Sequence, residues 1–306
     1  MKTSYWQWVT HHRHMDTVAL LAATVQRQFP TIWQELEGLS DGLGIPLEQV
    51  LAWNFRGDIL PGITETATTF LIPGEKSTIA HNQDGPRELR EHCFMAEIRP
   101  DQGPVFANFC LPGSLPGGTF GVNTSGIVVV NNGLCIHGAK AATAKNILGR
   151  SALSCLDLES IVALISRQPE CGGNHLGLGQ AGRTELHSLE FGYGHFKAQR
   201  VRGPLAHTNH ALYLGLDEDH QTITPSSAGR HQRAQVLLEN TTSVDVRVMR
   251  DETNPEVAIH RTALDDPDGA NTLATVLFQL GESQTDWKIY APHCDEAVHT
   301  GAVKVN

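Results

Sequence analysis

A carboxylate, an amide and several imidazoles stand in two short segments of this chain, and they are side chains of acid–base and oxyanion chemistry. The first segment is a hairpin. Thr68 to Ile72 reads as a buried, β-branched strand, Pro73-Gly74-Glu75-Lys76 as a turn, and Ser77 to Ala80 as the returning strand that delivers His81-Asn82-Gln83-Asp84-Gly85. Such a hairpin sets position 67 close to Asp84. The second segment, Leu205-Ala206-His207-Thr208-Asn209-His210, lies far along the chain. Its His-x-x-His pair could bind zinc if a turn aligned it. No third ligand lies nearby, so His207 and His210 read as hydrogen-bonding or lining residues, and no metal is expected.

The order of these segments resembles the acyl-coenzyme A:isopenicillin N acyltransferase family of self-processing N-terminal nucleophile hydrolases. The resemblance covers nearly the whole chain: a helical stretch ending in Leu51-Ala52-Trp53-Asn54-Phe55-Arg56, a loop from Gly57 to Thr66, the hairpin, Asn123-Thr124-Ser125-Gly126, and His207-Thr208-Asn209-His210. In that family a Cys-Thr-Thr or similar triplet opens the mature β chain, an Asn-x-Asp follows one hairpin later, and a Thr-Asn-His segment supplies an asparagine. Here these read Ala67-Thr68-Thr69, Asn82-Gln83-Asp84 and Thr208-Asn209-His210.

The resemblance implies an α+β chain folded as a four-layer αββα sandwich, cleaved between Thr66 and position 67. Residues 1–66 would be a helical pro-segment and 67–306 the catalytic β chain, within one structural domain. It implies that Asp84 holds the freed α-amine and that Asn209 gives a side-chain N–H to the oxyanion. Thr68, Asn82, Asn132, His207 and His210 would line a small N-acyl or aminoacyl amide. Cleavage before a cysteine frees an α-amine with a reference pKa of about 7.7–8.0, suited to accept a proton at neutral pH. One residue then supplies nucleophile and base, and no cofactor is needed. The acyl-cysteine ends in hydrolysis or in acyl transfer, according to whether water or an amine reaches the thioester. A compact chain with no evident carrier or coenzyme A site leans towards hydrolysis.

One match departs from the pattern. Ala67 has no reactive atom, so this chain is expected to be chemically silent and uncleaved. An engineered cysteine-to-alanine change would leave the flanking threonines and the Asn-x-Asp in place, as they are; a natural pseudoenzyme that binds a small amide without cutting it is the alternative. A third reading has Thr68 attack instead.

Other motifs point more weakly. Gly177-Leu178-Gly179-Gln180-Ala181-Gly182 spells a dinucleotide-binding fingerprint, but Thr184 to Phe191 reads as a strand, so a hairpin turn is expected rather than a phosphate site. His11, His12 and His14 read as a solvated patch. Asn132, closing the strand from Ile127, is similar to a second site asparagine of related amidases, although a capping amide at a buried strand end is an equal reading. Arg230 and Arg233 could meet a substrate carboxylate; exposure on a polar helix is the commoner case. Pro112, Gly113, Pro116, Gly117 and Gly118 form a loop that either borders the site or simply connects strands.

The elements that must position these residues are mixed. Asp16 is expected to cap a helix that Pro30 interrupts, and Gly42, Gly44 and Pro46 separate a second helix from a third, Leu47 to Phe55. Strands are expected at 93–98, 105–109, 119–123 and 127–132, then helices at 147–155 and 158–166, the latter capped by Asp157. Further strands at 174–180, 184–191 and 195–202 precede a helix at 227–239, a short one after Ser243, and a last hairpin, 272–280 with 287–291.

Composition narrows the partners. With 23 basic and 33 acidic residues the net charge is −10, which argues against nucleic acid or an anionic membrane surface as a partner. No stretch approaches the roughly 20 apolar residues of a membrane span, and Met1 to Trp6 lacks a signal-like charged head and apolar run. Six cysteines without Cys-x-x-Cys spacing signal neither a disulfide framework nor a zinc site, as suits the cytoplasm.

Overall fold

β-Branched and aromatic runs broken by turn residues pair into two sheets, both antiparallel throughout. The structure is a computed structural model that describes residues 3–60, 66–138, 142–239, 243–266 and 268–305. In the first sheet β1 (Ala67–Ile72) and β2 (Ser77–Pro86) form the expected hairpin. β10 (Leu205–His207) flanks β1, while β11 (Ala270–Leu280), β12 (Gln284–Tyr290) and β13 (His299–Lys304) extend the sheet beyond β2. The second sheet is a meander in sequence order: β3 (Phe94–Ile98), β4 (Phe106–Cys110), β5 (Phe120–Asn123), β6 (Ile127–Gly133), β7 (Asn174–Gln180), β8 (Leu186–Gly192) and β9 (His195–Val201).

Alternation along each strand divides its side chains between two faces. Leu71, Ile79, Val276 and Phe278 of the first sheet meet Phe120, Val122, Val128, Val130 and Leu186 of the second in one core between the sheets. The glycine-rich segment takes part in this packing. A Cβ on Gly177 would lie 2.8 Å from Val130 and 3.1 Å from Leu71, so glycine lets the sheets approach. Gly182, with φ +80°, makes the following turn, and no helix follows it.

Helices cover both outer faces. α6 (Lys145–Ala152) and α7 (Leu158–Ser166) set Leu148, Ile161 and Ile165 against Val129, Leu178 and Leu189 of the second sheet. Asp157 caps α7 by accepting from the Ser160 N–H at 2.7 Å. On the other side α8 (Pro225–Glu239) and α9 (Val246–Met249) pack Ala234 and Met249 on Phe70, Ala80 and Ala206. The layers therefore run helix, sheet, sheet, helix.

The leading residues make five helices where three were expected: α1 (Ser4–Val9), α2 (Met15–Gln28), α3 (Pro30–Leu43), α4 (Leu47–Asn54) and α5 (Arg56–Ile59). Asp16 lies in the first turn of α2 and does not cap it; Thr3, capping α1, does that work one helix earlier. α1 is too short to hold itself together in water. Trp6 and Tyr5 secure it against Trp53, with ring centroids 5.0 and 5.4 Å apart. The 112–118 loop receives these helices: Trp53 Nε1 donates to the Pro112 carbonyl, Asn54 Nδ2 donates to that of Gly113, and Asn54 Oδ1 accepts from the Leu115 N–H. Strands β10 and β13 were not anticipated. Among the described residues no helix is long and apolar enough to cross a membrane.

Candidate active site

β1 begins at Ala67, and its pairing with β2 sets Ala67 opposite Gln83. The peptide bond just before this residue is held from both sides. The Thr66 carbonyl accepts from the Asp84 N–H at 2.9 Å, and the Ala67 N–H donates to Asn209 Oδ1 at 3.2 Å. Ala67 itself is buried, and its carbonyl accepts from Arg230 Nη1 at 2.9 Å.

Asn209 has its amide orientation determined by its neighbours. Two donors, the Ala67 N–H and Arg230 Nη2 at 2.7 Å, converge on Oδ1, while Nδ2 donates to the Gly133 carbonyl at 2.9 Å. The atom that accepts from the Ala67 N–H is thus the side-chain carbonyl, and the N–H expected to serve an oxyanion is on Nδ2. Gly133 takes one of the two Nδ2 hydrogens.

Arg230 is the residue that sequence reasoning left out. It is fully buried beneath α8, where exposure had been expected. Besides Ala67 and Asn209, its guanidinium reaches Thr68 Oγ1 at 3.0 Å and Ser226 Oγ at 3.3 Å. Burial, and then the neighbouring Arg261, lower its pKa to about 10, which leaves it cationic at neutral pH. A signal was present: Ser227, Arg230, Ala234 and Leu237 recur at helical spacing and form the face of α8 turned to the sheet. Arg233 lies off that stripe and pairs with Asp251 at 2.6 Å.

Asp84 is fully buried. Its Oδ1 accepts from Thr272 Oγ1 at 2.8 Å, while its Oδ2 has no hydrogen-bond partner among the described residues. Burial raises the carboxyl pKa to about 6, against the pull of Arg261 and Arg230. Arg261 was also missed, because it comes from an irregular segment without periodicity. It donates to Thr66 Oγ1 at 2.6 Å and to Asp266 Oδ2 and Asp268 Oδ2 at 2.9 and 3.0 Å.

The remaining expected residues fall into two places. Asn82 is spent within the fold: Nδ2 donates to the Met249 and Ile259 carbonyls and Oδ1 accepts from Thr275, tying β2 to the outer helical layer. Asn132 lies between the sheets, where its Oδ1 accepts from Thr69 Oγ1 at 2.7 Å and its Nδ2 donates to the His207 carbonyl at 3.3 Å. His207 Nε2 meets Glu190 Oε1 at 2.7 Å, and His210 Nδ1 lies 2.8 Å from Ser227 Oγ. Burial, then His231, lowers the His210 pKa to about 4, so it is neutral at physiological pH. His11 and His12 are exposed and His14 is half-buried. Among the described residues no group of three or more potential ligands could hold a metal ion. All six cysteines are free thiols, and burial pushes Cys93 and Cys110 up to about 12, away from nucleophilic use.

Two solved structures, both variants of the conjugated bile acid hydrolase from Clostridium perfringens, align with 78% of this chain and 92% of their own. Each is 10% identical to it, with a TM-score of 0.45. No curated protein sequence matches the chain. A family model described as acyl-coenzyme A:6-aminopenicillanic acid acyl-transferase matches residues 72–292, a span that opens just past Ala67 and takes in Asp84, Asn209 and Arg230. The chain belongs to the acyl-coenzyme A:6-aminopenicillanic acid acyl-transferase family.

Proposed function

We propose that the start of β1 is an N-terminal nucleophile site for a small N-acyl or aminoacyl amide, built for an acyl-cysteine route and silent here because Ala67 carries no thiol. The observation that carries this reading is the double hold on the Thr66–Ala67 bond, carbonyl on Asp84 N–H and nitrogen on Asn209 Oδ1. With a cysteine at 67, the thiol adds to the Thr66 carbonyl carbon, and the Asp84 N–H steadies the oxyanion. The thiol proton passes to the peptide nitrogen, the C–N bond breaks, and water hydrolyses the resulting thioester. A free thiol and a free α-amine remain on residue 67.

In turnover that amine takes the thiol proton while sulfur attacks the amide carbon of the substrate. The leaving amine departs with that proton, and water or a second amine takes the acyl group from sulfur. Asn209 Oδ1 and the unpartnered Asp84 Oδ2 are acceptors suited to the new ammonium, and the second Nδ2 hydrogen of Asn209 is a donor for the substrate oxyanion. Residues 1–66 would stay as a docked chain, since their helices share a core with Leu115 and Ile147. A cytoplasmic setting, which keeps thiols reduced, suits this chemistry.

The test is Ala67→Cys, followed by intact mass. The expected result is one fragment ending at Thr66 and another beginning at residue 67; a folded variant that stays whole and inactive on an amide panel sinks the route. The second reading, a pseudoenzyme that binds a small amide without cutting it, draws on Ala67 itself. It predicts that the unsplit chain binds members of the same panel, read by ligand-observed NMR.

A further inference from the structure

A layer of polar side chains crosses the space between the sheets just beyond position 67. Thr69 shares a strand face with Ala67 and has His207 and His81 as cross-strand neighbours in the first sheet. Asn132, His175 and Glu190 are neighbours across β6, β7 and β8 in the second. All six are fully buried. They bond across the gap: Thr69 to Asn132, and His207 Nε2 to Glu190 Oε1 at 2.7 Å, with the His175 and His207 rings stacked 3.7 Å apart.

A buried carboxylate is costly unless donors surround it. Those of Glu190 come from a single stretch of chain. Besides His207, the Leu212 N–H donates to Oε1 at 2.6 Å and the Tyr213 N–H to Oε2 at 3.0 Å. One carboxylate thus grips residues 207–213 near both ends, and Asn209 lies between the grips. Other bonds hold the stretch between these grips: the Asn209 N–H donates to Ser227 Oγ at 2.9 Å, Thr208 Oγ1 to the Ser227 carbonyl at 3.0 Å and the Ala211 N–H to Gln221 Oε1 at 2.9 Å, while Asn209 Nδ2 donates to the Gly133 carbonyl and the Asn209 carbonyl accepts from the Cys135 N–H.

We infer that Glu190 is a positioning residue, whose carboxylate clamps the 207–213 segment so that Asn209 Oδ1 meets the Ala67 N–H and Arg230. It touches neither position 67 nor any reacting atom, and its importance for catalysis rests on the amide-site reading given above. Glutamine at 190 keeps the shape but turns an acceptor towards a donor as a second donor, so at least one of the three grips is lost.

The test is hydrogen exchange in the chain as it stands. In Glu190→Gln the Asn209 N–H, and the Cys135 N–H that donates to the Asn209 carbonyl, should exchange about tenfold faster relative to the β6 amides, as loss of one buried hydrogen bond implies. Leu186→Ala, which weakens the same strand without touching 207–213, should speed all amides alike. Equal local protection in Glu190→Gln and the parent overturns the inference. If Glu190→Gln does not fold, Glu190→Asp, which keeps the charge but shortens the reach, must show the same local acceleration or the inference falls. In the Ala67→Cys background, Glu190→Gln should slow cleavage after Thr66 by about tenfold more than Leu186→Ala does. Ala67→Cys that never splits refutes the amide site, whereas the exchange result decides on Glu190 by itself.

Discussion

Replacing Asp84 by asparagine should stabilise the chain at neutral pH, and the size of the gain follows from the carboxyl's surroundings. Asp84 is fully buried, with Oδ2 lacking a hydrogen-bond partner among the described residues, and its pKa is raised from 3.8 to about 6, first by burial. A raised carboxyl pKa means that the fold prefers the protonated form. The stability this group contributes is therefore complete below 3.8 and is lost as pH rises through 6. A shift of about two units corresponds to roughly 3 kcal/mol. Asparagine does not titrate and keeps an oxygen for Thr272, so Asp84→Asn and the parent should be closely matched near pH 4. At pH 8 the variant should be the more stable, by up to roughly 3 kcal/mol. Urea unfolding of both chains from pH 4 to 8 measures this, because the other titrating groups are shared and cancel in the difference. A difference that does not change with pH, or that moves against Asp84→Asn as pH rises, refutes the reasoning. A further consequence concerns the split Ala67→Cys form. An ammonium beside Asp84 would pull its pKa back down, and the gain from asparagine should vanish.

Arg230→Lys in the Ala67→Cys background should slow cleavage by about 10²–10³, because an ammonium cannot reach the Ala67 carbonyl, Thr68 and Asn209 together; a gel time course reads it. Glu35→Ala removes a bidentate partner of buried Arg150, with contacts of 2.7 and 2.9 Å, and should cost about 2 kcal/mol in urea unfolding, the low end because Glu35 is partly exposed. Gly177→Ala forces a Cβ into the contact with Val130 and should cost about 1–3 kcal/mol by the same measurement.

The parts of the fold that were legible had local causes. The β1–β2 hairpin, the meander strands and the Asp157 cap each follow from alternation, turn residues or a side chain three positions from its partner. α1, β10 and β13 were not legible, since each is short and draws its stability from distant contacts, Trp53 in the case of α1. The same divide runs through the site. Asp84 and Asn209 belong to segments whose order along the chain suggested them, yet which end of the Asn209 amide faces position 67 depends on Arg230 and Gly133, and no local pattern shows that. Arg230 could have been found by asking which face of its helix is buried. Glu190 could not, because His207 reaches it only once the two sheets are stacked.

Stacking also explains why a site can exist inside so apolar a fold. Along the facing strands the inward positions change character in step: Leu71 gives way to Thr69 and Ala67 on β1, Val130 to Asn132 on β6, Gly177 to His175 on β7, and Leu186 to Ser188 and Glu190 on β8. One end of the inter-sheet layer is a close-packed core that holds the sheets in register. The other end is a polar network whose buried groups depend on one another, so that loss of one acceptor leaves donors stranded. Asp84 stands on the other face of β2, with Asn82 and Ala80, turned to the outer helical layer from which Arg230 comes, and this network leaves it out. There its buried Oδ2 has no hydrogen-bond partner among the described residues, and the stability this costs is the pH-dependent loss that asparagine at position 84 should recover.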